Sequence, residues 1–199
     1  MTLIAFDAVT CVRGGRALFE GLTFTLEGGG AALVTGPNGV GKSSLIRLAA
    51  GLLAPAAGRI TDDASRALLT DQASLDEELP LARALAFWAR LDRAADNVSA
   101  ALDALALRDL ADIPVRLLST GQRRRAAIAR VVASGAPLWL LDEPANGLDS
   151  AALGLLETTI ATHRASGGAV LVASHTPIAL PDAIAIDLSQ RLSRPESVA

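Results

Sequence analysis

The densest chemistry in the sequence lies in Gly36-Pro37-Asn38-Gly39-Val40-Gly41-Lys42-Ser43, followed at once by Ser44. The spacing fits G-x-x-x-x-G-K-[ST], a phosphate-cradling loop set between a strand and a helix. Glycine at 36, 39 and 41 removes Cβ atoms where the main chain must close around an anion. Successive N–H groups then converge at the positive end of the helix that follows. In such a nest Lys42 reaches the β- and γ-phosphates of a nucleoside triphosphate, and the Ser43 hydroxyl is placed to ligate Mg²⁺. A glycine-rich turn that holds a lysine by coincidence is the plain alternative. The flanking strand and helix patterns argue against it.

Two carboxylates, Asp142 and Glu143, end the apolar run Leu138-Trp-Leu-Leu. Open α/β sheets gather their ligands at the carboxyl ends of strands, where the phosphate loop also sits. Asp142 is thereby suited to hold Mg²⁺ through water, and Glu143 to orient or deprotonate an attacking water. Alone, such a run more often ends in a capped turn with a solvated acid; the upstream loop reverses that balance. His175 follows the apolar run 169–174 at the same sheet edge. His163, inside a polar helical stretch, reads as a surface residue. Ser119 and Gln122 satisfy the S-x-x-Q capping box, which explains them fully as a helix start. Gly121 between them leaves the first N–H groups of that helix open to an anion.

Positioning these groups requires a sheet. Apolar runs at 3–9, 22–26, 31–35, 138–141 and 169–174 read as strands. The last three are continuous, as in strands of a parallel sheet buried on both faces, while the first two alternate and suggest a flanking antiparallel piece. Helical patterns cover 42–53, 82–93, 98–107, 122–133 and 151–164. The fold class is α/β: a mainly parallel sheet core over 1–72 and 134–188, an inserted helical lobe over 73–133, and a polar tail, 189–199, expected to fray.

Composition narrows the functions available. The chain has 199 residues, 51% hydrophobic and 20% charged, which supports a core and argues against disorder. Aromatics are 3% with no Tyr, so Ala, Leu, Val and Ile must build that core. Cys11 is the only cysteine, which excludes a disulfide scaffold and fits a reducing compartment. A net charge of −3 offers no basic surface for direct nucleic-acid binding. The mean hydropathy of +0.38 raises the question of a membrane span. No run approaches the roughly 20 apolar residues a spanning helix needs, and the N-terminus lacks a signal-peptide pattern. A cytoplasmic chain with apolar surface for a partner is the expectation.

Taken with the phosphate loop and the acidic strand, Leu118-Ser119-Thr120-Gly121-Gln122 resembles the signature loop of ABC-type ATPases. The order of motifs matches as well, and the pattern covers nearly the whole chain. The resemblance implies a P-loop NTPase nucleotide-binding domain, with ATP and Mg²⁺ held between two copies in a head-to-tail homodimer. Ser119, Thr120, Gly121 and Gln122 of one copy would close on the γ-phosphate held by the other copy's residues 36–43. Thr120 departs from the usual glycine. By the same resemblance Lys42, Glu143 and His175 are catalytic, His175 as the switch histidine. Gln72 belongs to a Gln loop that contacts Mg²⁺ beside Ser43 and Asp142, and Asn146-Gly-Leu-Asp149 is a D-loop. The family stacks adenine on an aromatic upstream of the phosphate loop. Here Cys11-Val-Arg-Gly-Gly-Arg16 has none. Arg13 is the candidate to stack by its guanidinium plane, with weak discrimination between ATP and GTP.

Three phrases narrow the resemblance: Ser119-Thr-Gly-Gln-Arg-Arg-Arg125, Ala136-Pro-Leu-Trp-Leu-Leu-Asp-Glu-Pro144 and Arg16-Ala-Leu-Phe-Glu-Gly-Leu-Thr-Phe24. They are similar to the ATP-binding subunits of cytochrome c biogenesis, the haem exporters. That implies ATP hydrolysis that powers haem delivery, by a subunit peripheral to the cytoplasmic face of a bacterial inner membrane. Separate transmembrane subunits would bring it to that membrane. No Cys/His axial-ligand cluster suggests that haem touches this chain. The ATPase of another small exporter is the nearest alternative. A soluble ABC ATPase of translation or DNA repair implies tandem domains or a long coiled coil, which do not fit in 199 residues. Leu85, Phe87 and Trp88 read as lobe core first, and as an apolar groove for a membrane partner second.

Overall fold

The computed structural model describes residues 1–62, 64–70 and 74–191. Strands β1 (Thr2–Arg13) and β2 (Arg16–Glu27) form a hairpin whose two turn residues, Gly14 and Gly15, both take positive φ, the handedness that suits a tight hairpin. Strand β4 (Ala57–Asp62) pairs with the other edge of β1, giving an antiparallel sheet in the order β2-β1-β4. Gly58 (φ +81°) lies so close to the carbonyls of Asp7 and Ala8 that a side chain there would overlap them.

The second sheet is parallel, in the order β5-β6-β7-β3-β8. Its strands are β3 (Ala31–Thr35), β5 (Arg66–Leu69), β6 (Leu138–Asp142), β7 (Ala169–Ala173) and β8 (Ile184–Asp187). The helices are α1 (Lys42–Ala49), α2 (Leu81–Leu91), α3 (Asn97–Ala104), α4 (Thr120–Ala133) and α5 (Ser150–Ala165). Side chains alternate across the sheet and feed two cores. Leu138, Leu140 and Leu171 pack with Phe6, Phe19 and Leu22 of the antiparallel sheet and with Leu45 and Ile46 of α1. Trp139, Leu141, Val170 and Val172 pack with Leu81, Leu85, Ile128 and Leu156 of the other helices. Burial on both faces is why β6 and β7 read as continuous apolar runs.

Strands β4, β5 and β8 were not legible in the sequence. They are edge strands of four to six residues, too short or too exposed to show a period. The first helix stops at Ala49 rather than 53, because the chain turns left-handed at Gly51 (φ +72°). Described residues between β5 and β6 form only helices and short 3₁₀ turns apart from an isolated bridge between Pro80 and Pro114. Of the apolar trio there, Leu85 is fully buried, while Phe87 is exposed and meets Trp88 edge-on. Leu188–Arg191 form a 3₁₀ turn seated by the buried Leu188, so the first part of the expected tail is structured.

Candidate active site

At the carboxyl edge of the parallel sheet, the loop after β3 and the turn after β6 line one cleft. The phosphate loop leaves β3 and enters α1 through Gly36 (φ +133°), Gly39 (φ +79°) and Gly41 (φ +118°), backbone that side-chain-bearing residues rarely adopt. The approach is close: a Cβ on Gly36 would lie 2.9 Å from Val40 Cγ1, and one on Gly41 3.1 Å from Leu18 Cβ. No side chain caps α1, and its N-terminus follows directly on the glycine loop. Its first N–H groups are therefore oriented for an anion. Asn38, Gly39, Gly41, Lys42, Ser43 and Ser44 line a cleft of about 330 Å³ together with Leu18 and Glu143.

Lys42 is buried, 6% exposed. Its Nζ donates to Gly36 O at 2.9 Å and to Pro37 O at 3.4 Å, and lies 3.5 Å from Glu143 Oε1. Glu143 stands just past β6 with a left-handed φ of +48°, a conformation costing on the order of 1–3 kcal/mol in a non-glycine residue. Its main chain is held on both sides. The N–H donates to Ala173 O at 2.8 Å, and the carbonyl accepts from Asn146 N–H at 3.1 Å. The side chain bridges: Oε2 accepts from His175 N–H at 3.0 Å and from His175 Nδ1 at 2.7 Å. A carboxylate only accepts, so Nδ1 carries the proton. Lys42, Glu143 and His175, predicted separately, thus meet at one carboxylate.

Asp142 ends β6 opposite Ala173, at the same sheet edge as Ser43. Gln72 lies outside the described residues. Arg13 is exposed at the tip of the β-hairpin and is not part of the cleft lining. The capping box is present: Gln122 N–H donates to Ser119 Oγ at 3.2 Å, and Ser119 N–H to Gln122 Oε1 at 2.8 Å. Thr120 is exposed, and Gly121 abuts the 146–149 turn, where its Cβ would lie 3.3 Å from Gly147 O. That turn ends in Asp149, whose carboxylate accepts from Ala152 N–H at 2.8 Å to cap α5. None of Ser119, Thr120, Gly121 or Gln122 lines the cleft of its own chain.

His163 is not a surface residue. It is half-buried and stacks flat on Trp139, with ring centroids 3.7 Å apart and planes 7° from parallel. The reason is tertiary packing: the end of α5 lies over Trp139 of β6, and Gly168 before β7 leaves the space its ring fills. Arg124 was also missed. The run Arg123-Arg124-Arg125 reads as a basic helix start, yet Arg124 is 7% exposed. Its spacing to Ile128 and Val131, both buried, places it on the core face of α4.

A sequence model of the ABC transporter family matches residues 19–146. The cytochrome c biogenesis ATP-binding export protein of Sphingopyxis alaskensis is 61% identical over 90% of this chain and 93% of that protein. Its counterpart in Rhodospirillum rubrum is 47% identical over 99% of this chain and 90% of its own length. Among solved structures, an ABC transporter ATP-binding protein of Pyrococcus furiosus superposes with a TM-score of 0.84 at 20% identity. The superposition covers 96% of this chain and 99% of that one, a likeness of fold.

Proposed function

This chain belongs to the ABC transporter family, among the ATP-binding export proteins of cytochrome c biogenesis, and we propose that it hydrolyses ATP through Lys42, Glu143 and His175 to power haem delivery. The observation that carries the reading is the single carboxylate of Glu143, held between a buried ammonium and an imidazole N–H at the mouth of the phosphate loop. A γ-phosphate entering the loop competes with that carboxylate for Lys42. Drawn to the phosphate, Lys42 releases Glu143 to accept a proton from water, while His175 Nδ1–H keeps the carboxylate oriented. The water oxygen bonds to the γ-phosphorus, the bond to the β-phosphate oxygen breaks, and ADP departs.

The donor set suits Mg²⁺, which favours oxygen ligands, keeps several waters and is usually bound by one or two protein groups plus substrate phosphates. Ser43 and Asp142 would hold it with Gln72. Among the described residues no three His, Cys, Asp or Glu side chains converge as a cage of their own. When bound, Mg²⁺ neutralises charge on the phosphate oxygens.

Because Ser119, Thr120, Gly121 and Gln122 lie away from their own chain's cleft, a second copy would supply them, head to tail. Arg13 would meet the base from the hairpin tip. No helix among the described residues is long and apolar enough to cross a membrane. Separate transmembrane subunits would therefore hold the chain at the cytoplasmic face, against the helical lobe (73–133) and its exposed Phe87. Purification of tagged Glu143→Gln protein from native membranes with ATP tests the cargo. Co-purifying cytochrome c maturation subunits support it, and an unrelated permease overturns it.

A further inference from the structure

We infer that Arg124 is a positioning residue for hydrolysis, fixing the main chain of Glu143 from the helix behind the signature loop. The inference rests on the reading of Glu143 as the base. Arg124 is the fifth residue of α4, one turn beyond the Ser119 and Gln122 cap. Its buried guanidinium leaves the helix and meets a row of main-chain carbonyls at the sheet edge. Nη2 donates to Asp142 O at 3.0 Å and to Glu143 O at 2.5 Å, and Nε to Pro144 O at 3.3 Å. Nη1 donates to Thr70 O at 2.8 Å, just before the segment that holds Gln72.

Three motif regions therefore share one planar cation: the helix behind the signature loop, the acidic turn and the strand end that leads to Gln72. The neighbouring arginines bond elsewhere. Arg123 donates to the carbonyls of Arg116 and Leu118, and Arg125 to those of Leu105 and Ala106. A guanidinium presents its donors in a fixed fork, so the spacing of the carbonyls is set by the side chain rather than by a flexible ammonium. Glu143 needs that support, because its left-handed backbone is what aims the carboxylate at Lys42 and His175.

The test uses the transporter complex assembled from this chain and its membrane partners, with Arg124→Lys, Arg124→Gln and Glu143→Gln. Both Arg124 variants should lower kcat about 10- to 100-fold, the glutamine more than the lysine, at nearly constant KM for ATP. Exchange of the Glu143 and Asn146 amides, bonded to Ala173 O and Glu143 O, should quicken while protection of β3 and β7 is kept. A wild-type kcat in both Arg124 variants, with Glu143→Gln inactive, overturns the inference and leaves the base assignment standing. Active Glu143→Gln overturns the base assignment itself. If both Arg124 variants lose ATP binding and protection throughout the sheet, Arg124 is structural only and the inference fails.

Discussion

Replacing Glu143 with glutamine should tighten ATP binding, beyond merely preserving it. In the wild type Lys42 Nζ sits 3.5 Å from Glu143 Oε1, with side chains only 7% and 14% exposed. Two unit charges at that distance attract by about 5 kcal/mol at an effective dielectric constant near 20. Most of this is recovered when the ammonium passes to a phosphate, and the carboxylate keeps its bonds to His175. What remains is the competition for Lys42 and the like-charge contact between carboxylate and phosphate. Together these oppose binding by about 1–2 kcal/mol, a factor of about 5–30 in Kd. Glutamine has the same shape, still accepts from His175 through its amide oxygen, and removes the charge. The assay is equilibrium titration with a non-hydrolysable ATP analogue and Mg²⁺, so that both proteins report binding alone. Because the pair is buried, the gain should persist at raised ionic strength. An affinity equal to or weaker than wild type would refute the reasoning.

A methyl group at Gly168 would overlap the His163 ring, so Gly168→Ala should destabilise the fold by about 1–3 kcal/mol. Denaturant titration should show that loss vanish in a His163→Ala background, and persistence there would contradict it. Burial holds the His163 imidazole below its ordinary value, so the unfolded chain takes up a proton there before the native one. Its contribution is flat above about pH 6.5 and reduces stability as pH falls below that value. Melting curves of His163→Phe should lack this decline, whereas an unchanged pH dependence would assign it elsewhere. With Arg13 in place of an aromatic, ATP and GTP should bind with similar Kd, and a large ATP preference would count against that base contact.

How much the sequence disclosed depended on whether a residue's surroundings were local. The phosphate loop is a contiguous motif between a strand and a helix, and its glycines adopt the backbone their type predicts. Strands β6 and β7, buried on both faces, announced themselves as apolar runs. The capping box needed only four consecutive residues. Edge strands β4, β5 and β8 take their structure from neighbours distant in sequence, so their own patterns are faint. The same holds for single side chains. Arg124 and His163 look like solvated helix residues until α4 is seated on the sheet edge and the end of α5 on Trp139. The meeting of Lys42, Glu143 and His175 required three loops at one sheet edge, which the strand order supplies.

The most direct measurement is ATP turnover by the transporter complex containing Glu143→Gln, with analogue binding measured on the same sample. Turnover should fall by about 10²- to 10⁴-fold, the contribution of a general base, while the nucleotide still binds. Turnover equal to wild type would contradict the assignment of hydrolysis to this carboxylate.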